Sequence, residues 1–311
     1  MQKKSDYRIK TADTKESYEG LRTLWCEVFN DDKEFVDTMY ASFGADPAEN
    51  KYTSDAIKGY VIEDGGKVVS ALTCFRCGDF EGRPAYTSYA ICTDPALRGK
   101  GLAGALVDHV RENVIRMGGV SIISPAEPSL ELFYGAHGYD VFFFARTCEA
   151  SADEEDFEFD AEDAEYEKVN PDFEMRILSA DEYGGLREEF LSGRPHVSLS
   201  RNMLQLIYTE SKLPDGSGGL RLINSGDALC ALSGNEDGSI EIAELLVNPK
   251  LEELSSEIAD EIVKKLEREL SVRVRRYSMP GAGGCQSMIA GLDNLDNKDN
   301  NGEAYYGFPI D

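Results

Sequence analysis

The sequence predicts an α+β fold, a mixed α/β layer structure built twice over. Three observations predict it: a chain of 311 residues, hydrophobic periods that switch between two and about four, and one strand–turn–helix pattern that recurs. At roughly twice the usual domain size the chain is long enough to bury two cores.

Leu21-Arg-Thr-Leu-Trp25-Cys-Glu-Val28-Phe29 has apolar positions at helical spacing, and Phe35, Val36 and Met39 mark a second helix. Tyr60 to Leu72 reads as two strands joined by Asp64-Gly65-Gly66, and Tyr86 to Cys92 as a further strand. From Gly101 a helix is expected through Leu102, Leu106, Val110 and Val114, ending at Gly118-Gly119, where a left-handed cap suits glycine. Val120 to Ile123 reads as a buried strand, Leu130 to Ala136 as a short helix and Asp140 to Ala145 as a strand. The order implies a twisted central sheet with helices on both faces.

In the second half, Ile240 to Asn248-Pro249-Lys-Leu251 echoes Ala90 to Asp94-Pro95-Ala-Leu97. Each is followed by an amphipathic helix, here through Leu254, Ile258, Ile262 and Leu266. Between the halves, Glu149 to Pro171 carries nearly one carboxylate in two positions and reads as a linker, in which Phe157, Phe159 and Tyr166 could dock as an edge strand. The expected division is 1–150, a linker at 151–171, and 172–311.

A net charge of −26 opposes nucleic acid and anionic membranes and favours a cationic substrate. Seven cysteines, an odd number, argue for reduced thiols. Cys74 and Cys77 fall in a strand-like stretch, where residues three apart point to opposite faces, and none of the three histidines is paired at ligand spacing, so no metal site is expected. The polar start and the lack of a long apolar run predict a cytoplasmic protein without a membrane span.

The chemistry concentrates in Thr93-Asp94-Pro95-Ala96-Leu97-Arg98-Gly99-Lys100-Gly101-Leu102-Ala103-Gly104. A strand entering a glycine turn and then a helix start presents free N–H groups at the positive end of the helix dipole, which suits a phosphate or pyrophosphate. A nucleoside-triphosphate loop fails, because Gly99-Lys100 is followed by Gly101 rather than Ser or Thr. A dinucleotide fingerprint is formally met by Gly99, Gly101 and Gly104, with Glu127 where a ribose-binding acid is expected. Pro95 and Arg98 sit awkwardly in it, and no leading βαβ unit precedes it. A dinucleotide-dependent oxidoreductase stays open as an alternative.

Arg98-Gly-Lys-Gly-Leu-Ala103 resembles the R/Q-x-x-G-x-G/A loop of the GNAT superfamily of acyl-CoA N-acyltransferases. Leu132-Phe133-Tyr134-Gly-Ala-His-Gly138-Tyr139 is similar to that family's aromatic ending, and the trailing half resembles bacterial members built as two GNAT-like domains, here with a degenerate second copy. The resemblance implies that Ile91, Cys92 and Thr93 align the pantetheine arm of acetyl-CoA and that Arg98, Gly99, Lys100, Gly101, Leu102 and Ala103 hold its pyrophosphate. It also implies that Tyr134 is the general acid, and that an acetyl group passes to a primary amine by direct attack. The acceptor would be a small molecule or peptide. One departure is Glu127, where many relatives carry Asn. Glu127 and Glu27 are the candidate bases, with a water chain as the third option.

Residues 248–257 place acids where the first half has Arg98, Gly99 and Ala103, so the second copy is not expected to bind coenzyme A. Asn297 to Gly302 imitates a calcium loop but has Phe308 where a bidentate Glu is needed, and Gly281 to Gly284 reads as a plain loop. A coenzyme-A-binding sensor without turnover remains a further alternative.

Overall fold

The structure, a computed structural model, describes residues 8–149, 173–224, 226–292 and 303–307, with 252–257 described by their backbone alone. The linker at 151–171, its aromatic residues and the calcium-like loop at 297–302 lie outside the described residues.

A short strand β1 (Ile9–Thr11) leads into helices α1 (Lys15–Phe29) and α2 (Lys33–Ser42), then strands β2 (Ile57–Asp64), β3 (Lys67–Phe80) and β4 (Arg83–Thr93). A 3-10 turn, Pro95–Leu97, precedes α3 (Leu102–Arg116), followed by β5 (Val120–Ile123), α4 (Ser129–Ala136) and β6 (Asp140–Glu149). Local chemistry explains the helix boundaries. Thr14 and Ser17 form a capping box at the start of α1, and Asn30 ends it in the left-handed region; Asp32 caps α2 through the Phe35 N–H.

The second half follows this order in part, with an added strand β8 between its first two helices and no helix between its last two strands. It comprises β7 (Met175–Ile177), α5 (Ala180–Phe190), β8 (Ser198–Leu199), α6 (Arg201–Glu210), β9 (Leu220–Ile223), β10 (Ala228–Gly234), β11 (Ile240–Val247), a 3-10 segment Pro249–Leu254, α7 (Ser255–Leu270), β12 (Val274–Pro280) and β13 (Gly284–Ala290). The echo extends to backbone irregularity. Both the β3–β4 and the β10–β11 pairings carry a register shift, at Ala71/Thr73 and at Ala231/Leu232.

All strands but the short β8 lie on one path, β1-β2-β3-β4-β5-β13-β6-β12-β11-β10-β9-β7, and β8 pairs with β3. The two halves exchange strands at the centre: β13 lies antiparallel between β5 and β6, and β6 lies against β12. The boundary at 150–172 therefore divides the chain in sequence but not in the sheet. Where the chain passes from β12 to β13, a Cβ on Gly283 would stand 2.2 Å from the Ala145 carbonyl oxygen, so only glycine lets it cross β6 this closely.

One face of the sheet is covered by α1, α2, α5 and α6, which share a single apolar core containing Tyr18, Trp25, Tyr40, Tyr183, Met203 and Ile207. The other face is covered by α3 and α4 over the first half, through Leu102, Leu106, Val110 and Tyr134, and by α7 over the second, through Ala259, Ile262 and Leu266. Cys74 and Cys77 point into different cores, on opposite faces of β3. Among the described residues no helix is long and apolar enough to cross a membrane.

Candidate active site

The site begins where two parallel strands part. β4 and β5 are paired from Ala85↔Val120 to Ser88↔Ile123, but β4 continues to Thr93 while β5 ends at Ile123. On its other edge β4 stays paired with β3, with Ala90 and Ile91 bulged opposite Leu72 and Ala90 held at φ 49°. Such a conformation is uncommon for a residue with a Cβ and marks a locally imposed backbone. The bulge turns the edge of residues 89–93 into the gap left by β5.

Register decides which polar groups face the gap. The Asp94 N–H donates to the Val69 carbonyl, so the antiparallel alternation makes Thr93↔Ser70 a non-hydrogen-bonded pair. The Thr93 N–H therefore points away from β3, toward the opening, whereas the Cys92 N–H faces β3. The Ser70 hydroxyl fixes this corner, lying 2.9 Å from the Cys92 carbonyl and 2.8 Å from the Thr93 hydroxyl.

The loop beyond β4 is built by its own side chains. The Asp94 carboxylate accepts from the Ala96 N–H and from Lys67 at 3.0 Å, and the Lys67 hydrogen bond holds it below the usual carboxylate range. Gly99 and Gly101 adopt φ 76° and 78°, and a Cβ on either would meet nothing within 4 Å. Gly101 is the N-cap of α3 and no side chain caps the helix, so its first-turn N–H groups face open space. Arg98, Lys100 and the two glycines are exposed around this helix start. An anion can approach the backbone here without displacing anything.

Gly104 serves a different purpose. A Cβ there would lie 2.6 Å from the His137 ring, so the glycine admits that imidazole against α3. Gly104→Ala should push His137 off α3 and cost about 1 kcal/mol or more from overpacking, which for a chain of this size lowers the melting temperature by about 1–2 °C or more; an unchanged melting curve would show that the ring has room to spare.

Tyr134, 6% exposed, lies in the same apolar cluster as Leu102 of α3, Tyr139 and Ile123 of β5. Burial pushes its hydroxyl up to about 12, so it keeps its proton at neutral pH. The loop residues and Tyr134 are thus assembled on one face of the sheet, beside the parting of β4 and β5. The two candidate bases lie elsewhere. Glu127, exposed in the segment after β5, accepts from the Ser129 hydroxyl at 2.8 Å at the start of α4. Glu27 is exposed on α1 and close enough to Lys67 to favour its charged form, after the stronger effect of Asp94. Neither is hydrogen-bonded to the β4 edge.

Three features escaped the sequence reading. The Asp94–Lys67 pair joins positions 27 apart, and the His137–Asp108 contact at 2.9 Å joins two helices. The third is β13, which brings residues of the C-terminal half to the gap: the Ser287 hydroxyl lies 2.7 Å from that of Ser124 at the end of β5. No spacing in the sequence signals any of them. The antiparallel β3 beside β4 also removes the leading βαβ unit that a dinucleotide fold requires.

Residues 55–141 match the family described as the acetyltransferase (GNAT) domain. No curated protein matches the chain. Among solved structures, a GCN5-related N-acetyltransferase from Anabaena variabilis is similar over 91% of this chain and 72% of its own, at 13% identity and a TM-score of 0.56. One from Kribbella flavida is similar over 91% and 71%, at 14% identity and a TM-score of 0.53. A conserved protein of Enterococcus faecalis V583 is similar over 92% and 72%, at 13% identity and a TM-score of 0.56. These identities speak to fold, and their coverage spans both halves. The chain thus carries, over residues 55–141, a domain of the GNAT acetyltransferase family, set in a fold whose likeness to these structures extends over both halves.

Proposed function

We propose that the protein is an N-acyltransferase that moves an acetyl group from acetyl-CoA to a primary amine by direct attack in a ternary complex. The observation that carries this reading is the parting of β4 from β5 beside an uncapped glycine helix start. One feature supplies a backbone edge for an extended chain, the other a seat for a diphosphate at its end. The residues present fit coenzyme A: Ile91, Cys92 and Thr93 would run along the pantetheine arm, and Arg98, Gly99, Lys100, Gly101, Leu102 and Ala103 would hold the pyrophosphate. When bound, the cofactor supplies an activated thioester.

The chain's own groups account for the rest. An amine of pKa about 10.4 must lose a proton at a cost of about 4.6 kcal/mol at pH 7. Glu127 in the segment after β5, Glu27 on α1 or a water chain would relay that proton. The Thr93 N–H faces the opening and would stabilise charge developing on the carbonyl oxygen. Tyr134 would protonate the departing thiolate. Burial pushes the Cys92 thiol up to about 12, which leaves it un-ionised and supports direct transfer over an acyl-cysteine route. The excess of acidic residues supports a cationic acceptor, a small molecule or peptide, and the cytoplasm is the proposed location.

In this reading the catalytic part is residues 1–150 with its sheet completed by β13, and residues 172–311 form a degenerate copy without a coenzyme A site. Glu252 and Glu253 stand in its turn in place of Arg98 and Gly99, which supports that division.

A thermal-shift screen with acetyl-CoA, NAD(H) and NADP(H), followed by turnover over a panel of amines, tests the reading. Stabilisation by acetyl-CoA with turnover of a cationic amine is expected. Protection by a dinucleotide alone overturns it, and acetyl-CoA binding without turnover reduces it to a sensor. Tyr134→Phe should keep acetyl-CoA affinity and lower kcat about a hundredfold at saturating acetyl-CoA, since one proton donor is removed and the ring kept. Turnover within about threefold of wild type would remove Tyr134 from the mechanism.

A further inference from the structure

His137 ends α4, three residues after Tyr134, and its ring is wedged between that helix and α3. The Phe133 ring lies 4.8 Å away between centroids, and the Cε1–Nε2 edge abuts Gly104, third residue of the first turn of α3. Nδ1 lies 2.9 Å from Asp108 Oδ1, one turn further along α3. Arg111, also on α3, donates to the His137 carbonyl and stands 3.8 Å from the same Asp108 carboxylate. Because a carboxylate only accepts, Nδ1 carries a proton and donates it to Asp108. Nε2 has no partner among the described residues. An imidazole is thus fixed by one nitrogen and offered by the other, beside N–H groups of α3 that the helix itself leaves free.

We infer that His137 is a further ligand for the diphosphate of the acyl donor, with Asp108 as its positioning residue; the inference rests on the acyl-CoA reading above. In that role Nε2 would donate to a diphosphate oxygen seated at the first turn of α3. With Nδ1 already donating to Asp108, Nε2 donates only from the doubly protonated ring, and Arg111 would anchor the backbone that carries it. The glycine at 104 then has a purpose beyond the turn, since any side chain there would displace the donor.

The test uses the full chain and two probes: acetyl-CoA by calorimetry, and S-acetylpantetheine, which has the arm but no diphosphate, by ligand-observed NMR. His137→Phe keeps an aromatic ring between Gly104 and Phe133 but removes the donor. It should weaken acetyl-CoA about tenfold or more and leave S-acetylpantetheine within about twofold. His137→Gln, whose amide reaches the Nε2 position, should recover acetyl-CoA affinity to within about threefold of wild type, whereas His137→Asn, which reaches only the Nδ1 position, should not. If the Phe variant does not fold, the comparison of Gln with Asn decides. Equal affinities of Gln and Asn, equal losses for both probes, or wild-type acetyl-CoA affinity in the Phe variant would overturn the inference while leaving the acyl-CoA reading intact. Failure of the wild-type chain to bind acetyl-CoA would instead remove the reading on which the inference stands.

Discussion

Gly101→Glu is expected to abolish acetyl-CoA binding while the protein remains folded. The position is exposed, and a Cβ there meets nothing within 4 Å, so the substitution forces no neighbour to move. Its φ of 78° imposes a backbone strain of about 1–2 kcal/mol on any residue with a Cβ, which is tolerable for a chain of this size. The carboxylate, however, would occupy the space in front of the free N–H groups of α3, where a diphosphate would sit, and like charges in contact there oppose one another. Gly101→Ala separates the two effects. It carries the same strain without the charge and should lose far less affinity. Calorimetric titration of the three proteins, alongside their melting curves, provides the comparison; undiminished affinity in Gly101→Glu would show that the glycine loop is not the pyrophosphate seat.

The largest loss of stability is expected at Arg187. Its side chain and that of Glu244 are both fully buried, with Nε 3.1 Å from each Glu244 oxygen. The remaining guanidinium nitrogens donate at 2.8 Å to the carbonyls of Val197 and Tyr306, and the Tyr183 hydroxyl donates to Glu244. Burial, reinforced by the Glu244 carboxylate, pushes the Tyr183 hydroxyl well above its ordinary value, so it remains a donor. Glu244 lies on β11 beyond the last β11–β12 pair, Ile242↔Tyr277, which is the part of the second half that corresponds to the opening beside β4. The ion pair at this position is tied to the C-terminal segment 303–307 through the Tyr306 carbonyl. Arg187→Met would strand a buried carboxylate and should cost about 3–5 kcal/mol in denaturant unfolding. The double variant Arg187→Met with Glu244→Leu removes both charges and should be more stable than Arg187→Met alone. A single-variant cost below about 1 kcal/mol would mean that the pair is not dry.

Much of the first half was legible in sequence because its signals are local. The Asp64-Gly65-Gly66 turn, the apolar stripe of α3 and the loop from Arg98 to Ala103 each specify their own conformation, whereas strand ends, and the short β1, were read less well. β3 runs on to Phe80 and β6 to Glu149 because pairing with neighbouring strands, which the sequence does not display, extends them. The bulge at Ala90 was hidden for a related reason: alanine carries no preference for a left-handed backbone, and only the register against β3 imposes it. The C-terminal contribution to the gap was invisible because Ser124 and Ser287 are 163 positions apart and meet only through the strand exchange. Sequence did mark Tyr134 as an aromatic at a helix end, but its burial depends on partners from α3 and β5 that spacing alone does not name.

That exchange sets an order on how the molecule can be made. β5 acquires its partner β13 only when residues 284–290 are available. As synthesis proceeds from the N-terminus, the strands that frame the gap would emerge first and wait with open edges, a state prone to wrong pairing. Contacts such as Ile123 with Met288 span about half of the sequence, and loop closure over such distances slows folding. The acidic stretch between the halves, itself outside the described residues, brings like charges that oppose association of waiting chains. The first half, although it holds every residue proposed for acyl transfer, becomes a finished sheet only once residues 284–290 have been made.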